Sequence, residues 1–158
     1  MSFSRAEIVD LCKQSLANAA IGTGPDELQN GKDFYKFMFA NFPDLRVYPG
    51  AEHFSPDDVQ NSERFKRQGQ RILLGVNILV HTFDSSDMTF RAYARETMNF
   101  HRQFKLDPSL WKAFFNILIG YLETKITVTD AMAKAWTELG KVFSDESLDH
   151  LKNLGLPH

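Results

Sequence analysis

Phe90-Arg-Ala-Tyr-Ala-Arg-Glu-Thr-Met-Asn-Phe-His101 sets Phe90, Tyr93, Ala94, Thr97, Met98 and His101 three and four residues apart. Residues at that spacing share one face of an α-helix. The face is mostly apolar and ends in an imidazole, so His101 points inward with Phe90 and Met98. A histidine so placed either satisfies its ring nitrogens within the core or offers one of them to a ligand.

The same period continues on both sides. Upstream, Ser4-Arg-Ala-Glu7 has the form of a capping box, and Ile8, Leu11, Cys12, Ser15, Leu16 and Ala19 follow at helical spacing until Gly22. Pro25 suits the first turn of a second helix, whose face is Gly31, Phe34, Tyr35, Met38, Phe39 and Phe42. Pro43 breaks it, and a short helical turn through Tyr48 is expected before Pro49-Gly50. Ser55-Pro56-Asp57-Asp58 starts a helix, and a long amphipathic stretch then carries Phe65, Gln68, Gly69, Ile72, Gly75, Val76, Leu79 and Phe83. Downstream, Asp107-Pro108 opens a helix with the stripe Leu110, Phe114, Ile117, Leu118 and Tyr121. Thr127-Val-Thr-Asp130 precedes Met132, Ala135, Trp136, Leu139, Val142 and Phe143, with Leu148, Leu151 and Leu154 extending the pattern to Gly155. No stretch alternates with period two between hairpin turns. The reading is all-α: about seven helices in a single domain, residues 1–158.

Composition narrows the function. Eighteen Lys and Arg against 20 Asp and Glu give a net charge of −2, which offers no electrostatic footprint for nucleic acid or an anionic membrane. One cysteine, Cys12, excludes an internal disulfide and a multi-cysteine zinc site; its place on the first helix's inner face predicts inert burial. The N-terminus lacks the pattern of a signal peptide, and no window is apolar enough to span a bilayer, so a cytoplasmic protein is expected. Phosphate-binding loops, the dinucleotide fingerprint, His-Glu-x-x-His, the Gly-x-Ser-x-Gly elbow and calcium loops are all missing. Fourteen Phe is the unusual count, and it calls for a large apolar interior or a flat apolar guest.

Three inward polar residues are candidates for contact with such a guest: His101, Tyr35 and Gln68. The phenol and the amide each either reach a backbone partner at the core's edge or face a polar ligand in a cavity. Gly31 and Gly69 allow two helices to cross closely, which brings Tyr35, one turn on, near Gln68. His53, His150 and His158 read as solvated, and His81 as a cation near a helix C-terminus.

Gly31-Lys-Asp-Phe-Tyr35-Lys-Phe-Met-Phe39, Asn41-Phe-Pro-Asp-Leu-Arg46, Gln68-Gly-Gln-Arg-Ile-Leu-Leu74 and Arg95-Glu-Thr-Met-Asn-Phe-His101 together resemble the globins, specifically those of nematodes. Asp107-Pro-Ser-Leu-Trp111 and Ala135-Trp136 agree with the last two family helices, so the likeness runs in order over nearly the whole chain. The resemblance implies a globin fold around a pocket for haem b. It implies His101 as the proximal iron ligand, with Tyr35 and Gln68 as distal donors to dioxygen or another diatomic ligand. It further implies Ile72 as an apolar residue above the haem, and Arg71 either reaches a haem propionate or is a solvated helix residue. One departure stands out: the family has a haem-wedging Phe directly after the residue matching Tyr48, whereas this chain has Pro49-Gly50 and is one residue shorter there. Phe42, Tyr48 and Phe54 are the aromatic residues near enough in sequence to substitute.

The expected function is oxygen storage or transport without enzymatic turnover, in a protein able to form a homodimer. The alternatives are a globin-type haem enzyme, such as a nitric oxide dioxygenase or peroxidase-like redox protein, and a haem-free helical interaction protein.

Overall fold

Capping side chains mark most helix starts. The computed structural model describes residues 2–158, and these form α1 (Arg5–Ser15), α2 (Pro25–Asn41), α3 (Pro56–Gln60), α4 (Glu63–Phe83), α5 (Asp87–His101), α6 (Ser109–Glu123) and α7 (Asp130–Asn153). Short 3₁₀ turns cover Pro43–Val47 and Arg102–Phe104. The Ser4 hydroxyl accepts from the Glu7 amide, Ser86 caps α5 through the Thr89 amide, and Thr129 caps α7 through the Met132 amide. Each bond satisfies one of the amides that a helix start leaves without an internal partner.

Two boundaries differ from the sequence reading. The first helix stops at Ser15, although Leu16 and Ala19 are still buried. Ser15 Oγ donates to the Cys12 carbonyl at 2.7 Å, a local bond that competes with continuing the helix. The amphipathic stretch after Ser55 is not continuous with that helix start. The reciprocal Ser55–Asp58 box builds only the short α3. The chain breaks at Asn61, and Ser62 Oγ accepts from the Phe65 amide to begin α4.

The chain divides into two compact units. In one, α1 joins Ile78–His158, and α7 is the spine against which α1, α5 and α6 pack. Its core includes Ile8, Cys12, Phe90, Met98, Leu118, Tyr121, Trp136 and Phe143. The buried Trp136 indole donates to Ser15 Oγ at 2.8 Å, closing a polar chain that ends on the Cys12 carbonyl. A Cβ at Gly140 would lie 2.7 Å from the Phe115 ring, so this glycine lets α6 approach α7. Glu146 on α7 accepts from Arg91 and Arg95 of α5. Such partly exposed pairs contribute about 0.2–1 kcal/mol each.

The other unit is Leu16–Asn77. Here a Cβ on Gly31 would fall 2.6 Å from the carbonyl carbon of Gly69, and one on Gly69 would fall 2.3 Å from that of Gly31. Backbone meets backbone at this α2–α4 crossing, as the paired glycines in the sequence predicted. Phe39, Ala51, Val59 and Phe65 form the buried cluster beside it, with Tyr35, Met38 and Phe54 packed against them.

Candidate functional site

Within Leu16–Asn77, the helix crossing holds the Tyr35 ring rigidly. Its centroid lies 5.1 Å from that of Phe65, 5.7 Å from Phe39 and 5.9 Å from Phe34. Edge-on and tilted arrangements of this kind are the favourable ones for aromatic pairs. Burial pushes the phenol up to about 12, against the opposing pull of the Arg64 and Arg71 guanidiniums. The hydroxyl is therefore a proton donor at any physiological pH. It nonetheless makes no hydrogen bond among the described residues. The half-buried Gln68 amide, adjacent to Gly69 at the crossing, makes none either. The sequence left two options for these groups, and neither takes a backbone partner. Ile72, one turn after Gln68, is half-buried, while Arg71 is exposed.

The turn that departs from the family pattern is held by two arginines. Arg64 donates to the Pro49 carbonyl, and Arg46 donates to Phe54 O and Pro43 O, both at 2.9 Å. Gly50 sits at φ +68°, a left-handed conformation that suits glycine. Of the three aromatic candidates near Pro49, Phe54 joins the cluster that contains Tyr35, with its ring 5.5 Å from Phe65. Phe42 is 40% exposed.

In the unit formed by α1 and Ile78–His158, His101 closes α5 as the spacing predicted. Its Nδ1 lies 2.7 Å from the Thr97 carbonyl oxygen. A carbonyl only accepts, so Nδ1 carries the proton and Nε2 keeps its lone pair. Three rings surround the imidazole: Trp111 at 5.1 Å, Phe100 at 5.2 Å and Phe104 at 5.8 Å between centroids. This arrangement fixes both tautomer and ring orientation, the two requirements for a histidine that binds a metal through Nε2. No group of three or more His, Cys, Asp or Glu that could hold a metal ion gathers among the described residues.

His101 also lines a cavity of about 510 Å³, within the usual size range of small-molecule sites. Met98, Leu106, Trp111, Leu151 and Leu156 supply its apolar wall, and Arg102 and Lys105 its cations. The chain leaves His101 through the 3₁₀ turn and ends it at Lys105, which has φ 50° and ψ 46°. That is the one left-handed non-glycine among the described residues. A Cβ makes this conformation cost about 1 kcal/mol.

The sequence reading missed the Thr97 carbonyl and the cage around His101. The i−4 carbonyl at a helix's last turn was an available signal. The cage was not, because Phe104 lies beyond the end of α5 and Trp111 lies on another helix. His53, His81 and His158 are exposed, and His150 bonds the Asn99 side chain at 2.8 Å.

Comparison with known proteins adds independent evidence. The globin family model matches residues 32–147. The chain is 50% identical to a globin-like protein of Caenorhabditis elegans, over all of this chain and 99% of that one. A myoglobin of Nippostrongylus brasiliensis is 48% identical, with 97% and 99% covered. The solved structure of the C. elegans globin-like protein GLB-1 superposes with a TM-score of 0.96 at 49% identity, covering 99% of both chains. Ferric Aplysia limacina myoglobin shares the fold at 22% identity, with a TM-score of 0.76.

Proposed function

The chain belongs to the globin family, and from that premise we propose that it is a single-domain, cytoplasmic haem b protein that binds dioxygen reversibly for storage or transport. The observation that carries the reading is His101: its Nδ1–H is committed to Thr97 O, which makes Nε2 the ring nitrogen that carries a lone pair. The rings and apolar wall around it fit a flat, largely apolar group. Ferrous haem, when bound, supplies reversible coordination of diatomic ligands.

The chain's own residues tune that coordination. His101 would supply the nitrogen that holds the iron, and Thr97 keeps the imidazole from rotating. Tyr35 and Gln68 supply donors to dioxygen, supported by their having no hydrogen-bond partner among the described residues. Both are neutral donors, so they favour a ligand that becomes partly negative, as dioxygen does, over the less polarised carbon monoxide. A hydrogen bond to a charged acceptor is worth about 1.5–3 kcal/mol, and each 1.4 kcal/mol is about tenfold in affinity. Tight, slowly released oxygen follows. Ile72 supplies apolar cover.

The visible spectrum of the reduced protein with haem supplied, recorded under nitrogen and then air, tests this. A five-coordinate ferrous spectrum converting reversibly to a stable oxy spectrum is expected. Rapid oxidation to ferric haem would replace storage by redox chemistry as the function, and absence of any haem spectrum would overturn the proposal.

A further inference from the structure

Helix α7 ends at Asn153, and the chain then turns back along it. Gly155 takes φ +72°. Its amide donates to the Lys152 carbonyl, and the Leu156 amide donates to the Leu151 carbonyl, both at 2.9 Å. This pair of bonds around a left-handed glycine is the Schellman ending, in which the residues joined by the longer bond, here Leu156 and Leu151, also meet as apolar partners. Stopping a helix requires nothing further. In this chain the same residues do a second thing: Leu151, Leu156 and Pro157 line the cavity that also holds His101, Met98 and Trp111. The cap of α7 is thus part of the wall of the site. That wall is held from one side. Among the described residues, the hydrogen bonds of residues 154–158 run only to α7 or within the segment. Leu156 is half-buried and Pro157 exposed. Breaking two backbone bonds therefore lifts the segment while the helices stay folded, and local openings of this kind cost far less than global unfolding.

We propose that residues 155–157 form a strap that closes the His101 cavity and opens independently of the helices, setting how fast a guest held at His101 departs. The closure is a property of the chain alone, and its consequence for the guest rests on the haem reading above. Leu156 is the seal, and Gly155 holds it in place. A Cβ at Gly155 would meet nothing within 4 Å, so a substitution there changes the backbone preference and leaves the cavity lining intact.

The test separates seal, backbone and general loosening. Gly155→Ala disfavours the left-handed turn, whereas Gly155→Asn retains a residue that tolerates it. Leu156→Ser removes the seal, and Leu154→Ser changes an exposed leucine outside the cavity lining. Hydrogen exchange of the full chain, corrected for intrinsic rates and followed by mass spectrometry, compares the strap and residues 102–106 with residues 135–143 in the middle of α7. Gly155→Ala and Leu156→Ser are expected to exchange about fivefold faster in the strap and in residues 102–106, with residues 135–143 unchanged. Gly155→Asn and Leu154→Ser stay near the parent. Haem transfer from the loaded proteins to an excess of a scavenging acceptor should quicken in the same order. Faster exchange confined to the strap would overturn the proposal, because the segment would then be a helix ending and nothing more. Equal acceleration in residues 135–143 would overturn it as well, and unchanged haem transfer would overturn the role in retention. If the parent takes up no haem, the haem reading fails, while the exchange rates still decide whether the strap closes the cavity.

Discussion

Two sets of polar groups sit among aromatic rings in this molecule, and they are treated in opposite ways. In the unit built on α7, the Trp136 indole N–H donates to Ser15 Oγ, which donates to the Cys12 carbonyl, and all three residues are fully buried. In the unit containing α2, the Tyr35 ring is fixed by Phe34, Phe39 and Phe65, but its hydroxyl and the neighbouring Gln68 amide have no hydrogen-bond partner among the described residues. The first arrangement is closed, so its polar atoms contribute to stability. The second is rigid in its carbon skeleton and open at its polar ends, which is how a fold presents donors to a guest without having to reorganise them.

The contrast can be broken most forcefully at Trp136. Trp136→Ala removes the largest fully buried side chain and is expected to cost about 3–5 kcal/mol, read as a lowered denaturant midpoint. Ser15→Ala leaves the Trp136 N–H buried without an acceptor and should cost about 1–3 kcal/mol by the same measurement. Tyr35→Phe removes a hydroxyl that no described residue bonds, so stability should move by less than about 0.5 kcal/mol. Oxygen release from the haem-loaded Tyr35→Phe protein should nevertheless rise about tenfold or more, measured by stopped-flow. An unchanged off-rate with a large stability loss would reverse the assignment of open and closed groups.

Alkaline pH sharpens the same comparison with the smallest effect. Burial pushes the Cys12 thiol up from 9.0 to about 12 and the Tyr35 phenol up from 10.0 to about 12. The folded state holds these protons more tightly than the unfolded one, so the stability linked to them is complete below pH 9 and is lost as pH rises toward 12. Cys12 begins to contribute from about pH 9 and Tyr35 from about pH 10. Cys12→Ala should flatten the lower part of that loss, and Tyr35→Phe the upper part, in a pH series of chemical denaturation.

Much of this was legible from residue spacing. The stripes of α2 and α5 predicted the inward positions of Tyr35 and His101, and that of α1 predicted the burial of Cys12. Gly31 and Gly69 predicted a close crossing because only residues without a Cβ permit one. Periodicity failed where a single hydroxyl decides a boundary. Ser62 and Ser15 each make one local bond, and those bonds separate α3 from α4 and end α1 early. The unclaimed state of Tyr35 and Gln68 was likewise invisible, since a stripe gives a residue's direction but not the partners it meets. The aromatic cage of His101 draws on Trp111 from a different helix, and no one-dimensional pattern encodes that approach.

The bond between Trp136 and Ser15 spans 121 positions of sequence. A ribosome adding about 5–20 residues per second makes Ser15 roughly 6–24 s before Trp136. For that interval α1 has Ile8, Val9 and Cys12 ready to bury and no α7 to receive them. Helix α1 thus waits for its native surroundings through most of the synthesis of the residues between it and α7. A chaperone that acts on this protein has a clear target in α1, until α7 arrives to cover it.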